Sequence, residues 1–408
     1  MTHVLVVSDR AHAEALDAAD PLASFRARFA FPDRDVVYFD GNSLGRMPLS
    51  TPARLEAVLR AEWADELIRG WEHWLAFPLE VGDRLAPLLG AEPGELTIAD
   101  STTVNFYKLA AAALDARPGR DVVVTDRPNF PTDRYVLEGL AASRALTIRW
   151  LDPDPVDGPQ VTDVAAALDE RVALVTLSHV NYRSAAIADL PAITRLAHEA
   201  GALVLWDLSH SGGSVPVGLR AHDVDLAVGC TYKYLNGGPG APAYLYVRRE
   251  LQASLRQPIQ GWFGQRDQFE MGQGYDPEPD IRRFLVGTPG ILGIAAADEG
   301  ISISAEAGIE AIRAKGIALT QYAIALHDAW LAPLGCEVGS PRDPARRGAH
   351  VAIRHPAARQ LTRDLIARRV LPDFRAPDSI RIGLSPLTTS FADVWRGLGV
   401  LRDLLRAG

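Results

Sequence analysis

A chain of 408 residues has room for one large domain and a smaller one, and a composition of 48% hydrophobic and 23% charged residues is that of a globular protein. A formal net charge of −9 repels nucleic acid and anionic membranes, so neither is expected as a partner, although a helix end can still hold a small anion. No run nears the roughly 18 uncharged apolar residues of a membrane span, and the opening Met-Thr-His-Val lacks the pattern of a secretory signal, so the cytoplasm is the expected location.

From about 95 to 250, short apolar runs alternate with helical patterns. The runs at 96–99, 122–125, 146–150, 172–177, 202–206, 226–229 and 243–247 read as strands, and 104–114, 135–143 and 191–200 read as helices. This alternation predicts an α/β fold: a mostly parallel sheet covered by helices on both faces. The alanine-rich stretch 293–331 reads as helical, and a helix near 300–331 is expected to link two units. From Cys336 onward a smaller alternation (351–354, 357–368, 380–383, 391–405) predicts a second, α+β domain.

Ligands of such sheets bind at the carboxyl ends of the strands. Ser101, Thr102 and Thr103 follow the first run and open a helix, a setting that suits a phosphate and equally suits simple capping. Phe130 and Asp133 follow the second run; the ring could stack on a planar ligand or pack its own loop, and the carboxylate could bind a ring hydroxyl or cap a helix. Asp207 closes the run Ala-Leu-Val-Leu-Trp-Asp, where a carboxylate is either a helix cap or the partner of a buried cation such as a protonated pyridine. His210 follows in a glycine-bearing loop. Lys233 comes just after the run 226–229, between Tyr232 and Tyr234. Of 42 basic residues only Lys108, Lys233 and Lys315 are lysines. A lysine in so arginine-rich a chain calls for a reason, and an amine that can form an imine is one, because arginine cannot.

The segments Tyr38-Phe-Asp-Gly-Asn-Ser-Leu-Gly, Ser101-Thr-Thr-Val-Asn, Asn129-Phe-Pro-Thr-Asp, Ser178-His-Val-Asn-Tyr-Arg, Trp206-Asp-Leu-Ser-His-Ser, Thr231-Tyr-Lys-Tyr-Leu-Asn-Gly-Gly, Gly261-Trp-Phe-Gly and Arg381-Ile-Gly-Leu-Ser-Pro-Leu resemble kynureninase. That family has fold type I of pyridoxal-5'-phosphate (PLP) enzymes, in the class V aminotransferase group. The resemblance implies a seven-stranded sheet in a large PLP domain (56–299), a small C-terminal domain (300–408) and an N-terminal segment (1–55) packing with it. It implies a Schiff base on Lys233, with Asp207 on the pyridine nitrogen and Tyr232 as proton donor or relay. Phe130 would stack on the ring, Asp133 would lie near its hydroxyl, and Ser178 and His210 would line the site. Thr102, Thr103, Tyr232, Trp262 and Thr288 would hold the phosphate, the last two from the other subunit of a homodimer. Asn42, Ser43, Trp71 and Arg381 would bind substrate, with Arg381 on the α-carboxylate. The implied reaction is hydrolysis of L-kynurenine to anthranilate and L-alanine in tryptophan catabolism, with no metal.

Trp71 and Gly287-Thr288 stand where relatives that favour 3-hydroxykynurenine carry His and Ser-Asn, so the unhydroxylated ring is expected to be preferred. Gln265, where the family often has His, and Ser184-Ala185, where Thr-Gly is expected, are departures at the aryl end. The rivals are a related enzyme acting on a modified kynurenine, a class V aminotransferase, a cysteine desulfurase and a PLP-binding protein without activity. A desulfurase needs a reactive thiolate, and Cys336 beside Glu337 is a poor setting for one.

Overall fold

All seven apolar runs form strands of one sheet in the computed structural model, which describes residues 7–407. Residues 1–6, on which the expectation about a secretory signal rests, and Gly408 lie outside the described residues. In chain order the strands are β1 (Val37–Tyr38), β2 (Leu96–Ala99), β3 (Val122–Asp126), β4 (Thr147–Leu151), β5 (Val172–Ser178), β6 (Leu203–Asp207), β7 (Leu226–Gly229), β8 (Ala243–Val247), β9 (Glu337–Val338), β10 (His350–Arg354), β11 (Val370–Leu371), β12 (Asp373–Arg375) and β13 (Ser379–Gly383). The large sheet has the order β2-β8-β7-β6-β5-β3-β4, and only β8 runs against its neighbours.

Both faces of this sheet are buried, which is why its strands read as continuous apolar runs rather than alternating ones. Successive side chains point to opposite faces. Val122, Val124, Val204 and Trp206 share one core with the helices Phe77–Leu89 and Ile291–Ala307. Val123, Leu203 and Leu205 share the opposite core with Thr102–Asp115 and Pro131–Arg144. Among the described residues no helix is long and apolar enough to cross a membrane, and no group of three or more His, Cys, Asp or Glu could hold a metal ion.

The C-terminal unit is an antiparallel sheet, β12-β13-β10-β9, backed by Ile309–Leu326, Ala358–Ala367 and Phe391–Ala407. Ala13, Val37 and Phe39 join its core, and β1 pairs in parallel with β11. The stretch 293–331 corrects an expectation, because it is not one helix. Gly308, at φ 76°, separates Ile291–Ala307, on the large sheet, from Ile309–Leu326, in the C-terminal core. That backbone conformation suits glycine and strains other residues, so the chain turns there from one core to the other.

Candidate active site

The chain leaves β3 for the edge strand β4 and then returns to β5 on the other side of β3. Connections departing in opposite directions open a crevice at the carboxyl ends of β3 and β5. Ser178, the last residue of β5, spans it and donates to Asn129 Oδ1 at 2.7 Å. A cavity of about 190 Å³ lies here, and Thr102, Thr103, Phe130, Asp133, Ser178, Asp207, His210, Tyr232 and Lys233 all line it.

Each element delivers its residue for a local reason. Ser101 caps the helix Thr102–Asp115 by accepting from Val104 N at 3.3 Å, and the first-turn N–H groups of a helix have no intrahelical partner, so Thr102 and Thr103 stand where an anion is favoured. The turn before it is held by Lys108, whose fully buried amine bonds Asp100 Oδ2 and Phe284 O, each at 2.7 Å. Phe130 opens the helix Pro131–Arg144 and meets Tyr182 edge-on, with ring centroids 5.3 Å apart.

No helix follows Asp207, which removes the cap reading; its Oδ1 accepts from Ser209 N at 2.7 Å. The residue is 6% exposed, opposite Ser178 in the β5–β6 pair. Asp133 hydrogen-bonds Asp207, and its other oxygen, Oδ2, is buried with no partner. Burial first, and then the charge of Asp207, hold the Asp133 carboxyl well above the ordinary carboxylate range, so a protonated Asp133 can donate to its neighbour. His210 Nε2 is likewise buried without a partner.

Lys233 is 8% exposed and makes no hydrogen bond or ion pair among the described residues; its Nζ has the rings of Phe130 and Tyr232 at 5.7 and 6.0 Å. The other two lysines are also buried, but Lys108 is paired with Asp100 and Lys315 with Asp20. Close approach of the N-terminal segment fixes the Lys233 loop. Gly45 N donates to Tyr232 O at 2.8 Å, and a Cβ on Gly45 would collide with Lys233 O. The neighbouring Cys230, and then burial, raise the Tyr232 phenol above its ordinary value, so it stays protonated and able to donate at neutral pH.

Arg381, on β13, reaches the cavity wall from the C-terminal unit. It is 1% exposed and donates to Tyr182 O at 2.7 Å, Ser43 Oγ at 2.7 Å and Asp373 Oδ2 at 2.6 Å. Asn42 is fully buried with both amide atoms unpartnered. Trp71 stacks edge-on to Phe263 at 5.9 Å, Trp262 is 41% exposed and Thr288 is exposed, so these three stand outside the cavity of their own chain.

An unpaired buried amine, a carboxylate pair and a helix start around one cavity are the parts that hold pyridoxal phosphate, and the unpartnered His210 Nε2 and Asp133 Oδ2 leave polar atoms for it to meet. The cofactor is therefore pyridoxal phosphate, and the protein is a fold type I enzyme of the class V aminotransferase group; the family model "Aminotransferase class-V" matches residues 80–354. The model "Kynureninase C-terminal domain" matches 312–401. The chain is 44% identical to a kynureninase of Burkholderia pseudomallei (97% of this chain, 95% of that one) and 42% identical to one of Pseudomonas fluorescens (96% and 94%). The chain belongs to the kynureninase family. In fold it is similar to a cysteine desulfurase of Thermococcus onnurineus, at TM-score 0.81 and 18% identity over 97% of this chain and 98% of that one. The cysteine desulfurase CsdA of Escherichia coli matches at 0.78 and 18%, over 94% and 98%. Desulfurase chemistry has no thiolate here: both cysteines are buried, and burial pushes Cys336 up to about 11.

Several residues around the site had no motif to announce them. His350 is fully buried beside His210, ring centroids 5.7 Å apart, with neither nitrogen partnered. Asp373 and Arg375 lie on a strand that carries no other signal. Lys108 was visible only as one of three lysines.

Burial holds His179, His210 and His350 below the ordinary 6.5, His179 at about 4, so all three are neutral in the folded protein. The unfolded chain takes up their protons first, and stability is lost as pH falls through about 6.5. Each buried imidazole then contributes a loss of about 1.4 kcal/mol per pH unit. Burial also holds the carboxyls of Asp126 and Asp133 up, Asp126 to about 7, and these work in the opposite direction, so one imidazole is read by difference. Between pH 7.5 and 5.5 the stability gap in urea between the wild type and His179→Gln should shift in the variant's favour by about 1.4 kcal/mol. An unchanged gap would mean that the His179 imidazole is not buried and neutral.

Proposed function

We propose that the chain hydrolyses L-kynurenine to anthranilate and L-alanine in tryptophan catabolism, as a cytoplasmic homodimer that favours the unhydroxylated ring. The near-complete family likeness carries this reading. Pyridoxal phosphate on Lys233 supplies the electron sink that makes Cα–H and Cβ–Cγ cleavage feasible. Thr102, Thr103 and Tyr232 would bind its phosphate, Asp207, hydrogen-bonded by Asp133, would face the ring nitrogen, Phe130 would stack on the ring, and Ser178 and His210 would border it. Arg381, Ser43 and Asn42 hold the substrate α-carboxylate end. The Lys233 amine, with no other partner, takes the Cα proton. Water gives its OH to the γ-carbonyl carbon, the electron pair of the broken Cβ–Cγ bond stays on Cβ, which takes a proton from the Tyr232 phenol, the remaining proton of the water restores the phenol, and Lys233 gives back the proton that Cα carries in L-alanine.

The homodimer is supported by apolar side chains exposed on one chain: Trp63, Leu67, Ile68, Trp262, Phe269 and Met271. Trp262 and Thr288 serve the other copy's phosphate, and Trp71 and Gly287 border the aryl group. The domain division at 56–299 and 300–408, with 1–55 on the small domain, is part of the same reading and places Arg381 and Lys233 on opposite sides of a cleft. A second reading, a modified kynurenine as substrate, is favoured by Ala185, which sits at φ 65° where glycine is expected, and by Gln265.

Parallel incubations with L-kynurenine and 3-hydroxy-L-kynurenine, following anthranilate fluorescence and alanine release, test the assignment. The expected result is stoichiometric alanine and a higher kcat/KM for L-kynurenine. Loss of the amino group without alanine release would place the chain among aminotransferases, and no turnover of either compound would favour a modified substrate.

A further inference from the structure

An arginine can grip a carboxylate with two bonds along its Nε–Nη2 edge or its Nη1–Nη2 edge. Nη2 belongs to both edges. In Arg381 both Nη2 hydrogens are committed, one to Ser43 Oγ at 2.7 Å and one to Asp373 Oδ2 at 2.6 Å, while the buried Nε has no partner. A carboxylate docking on either edge must therefore take the place of Ser43 or of Asp373.

Two observations decide which. Ser43 is fixed from both sides, because its hydroxyl accepts from Arg381 and its backbone N–H donates to Asp40 O at 2.9 Å. Asp373 is an anion that the incoming carboxylate repels, and it has somewhere to go: the same Oδ2 already bonds Arg375 Nη2 at 2.7 Å. The antiparallel register sets Asp373 directly opposite Arg381 on the neighbouring strand, with Arg375 two residues on. Arg375 lies over the Tyr182 ring at 5.8 Å, and Tyr182 lines the Lys233 cavity, so this second cation flanks the site. Giving up Arg381 leaves Asp373 ion-paired, which removes the large penalty of an unpaired, partly buried charge.

We infer that Asp373 is a displaceable counter-ion: it occupies Nη2 of Arg381 until an amino-acid carboxylate docks, and then rests on Arg375 alone. This builds on the reading of Arg381 as the carboxylate clamp. Asp373 touches no reacting atom, so it sets the affinity for carboxylates and acts on KM rather than on kcat. Its sign is unusual for a positioning residue, since removing its charge strengthens substrate binding.

The test uses full-length holoenzyme carrying Asp373→Asn or Arg375→Gln. The readouts are L-kynurenine kinetics and inhibition by L-alanine, which has the carboxylate, and L-alaninamide, which lacks it. Asp373→Asn should lower KM and the L-alanine inhibition constant about three- to tenfold, leaving kcat and L-alaninamide inhibition unchanged. Arg375→Gln should raise KM and the L-alanine constant by a similar factor, because Asp373 then has no second partner. A raised KM in Asp373→Asn would overturn the inference and make Asp373 a fixed support. If that variant fails to bind cofactor, an unchanged KM in Arg375→Gln overturns it instead. Equal inhibition of the wild type by L-alanine and L-alaninamide would remove the clamp assignment itself, and turnover of L-kynurenine would still stand apart from both.

Discussion

Replacing Lys233 by alanine is expected to lower turnover of L-kynurenine by about 1,000-fold or more and to abolish the borohydride-reducible linkage between protein and cofactor. The amine serves as covalent anchor and as base, and the loss of a positioned acid–base group alone removes about two to four orders of magnitude. The fold should survive, because Lys233 Nζ has no hydrogen bond or ion pair to lose. Lys233→Arg is the sharper control, since it keeps a cation near Phe130 but cannot form an imine. Thermal unfolding of both variants near the wild-type apoenzyme would assign the loss to chemistry rather than to folding. A reducible cofactor linkage that persists in Lys233→Ala would place the anchor elsewhere, and the only other lysines are locked to Asp100 and Asp20.

The scarcity of lysine was a good guide for a reason the structure makes physical. All three lysines are buried, and this chain uses arginine for its exposed cations. The strands were legible because a sheet covered on both faces demands unbroken apolar runs, and their carboxyl ends then located Thr102, Phe130, Asp133, Ser178, Asp207 and Lys233 in one cavity. What stayed illegible depends on contacts between distant segments. The Asp133–Asp207 hydrogen bond joins a helix start to a strand end 74 positions apart in sequence, and neither residue type declares the other. Asp373 faces Arg381 only through the register of an antiparallel pair. The Arg381 acceptor on Tyr182 is a backbone carbonyl, which no residue letter encodes. The break at Gly308 did carry a signal, a glycine inside an alanine-rich pattern, but helices tolerate single glycines and only the φ of 76° decides the matter.

The Asp133–Asp207 pair carries the second large effect. Asp207→Asn keeps the shape and the bond from Ser209 N but removes the charge that faces the ring nitrogen. Taking one partner from a buried charge pair costs about 3–5 kcal/mol, which is roughly 100- to 1,000-fold or more if lost from the transition state. The expected result is a fall of that size in kcat with weaker cofactor retention. Asp133→Asn should behave differently. Its carboxyl is already held protonated by burial and by Asp207, so the amide can donate the same hydrogen bond and the pair loses little. A fall of about tenfold or less is expected there. The ordering of the two variants is the decisive measurement. If Asp133→Asn were as damaging as Asp207→Asn, the charge opposite the ring nitrogen would reside on Asp133, and Asp207 would be its support. If neither mattered, the cofactor ring would lie elsewhere in the cavity.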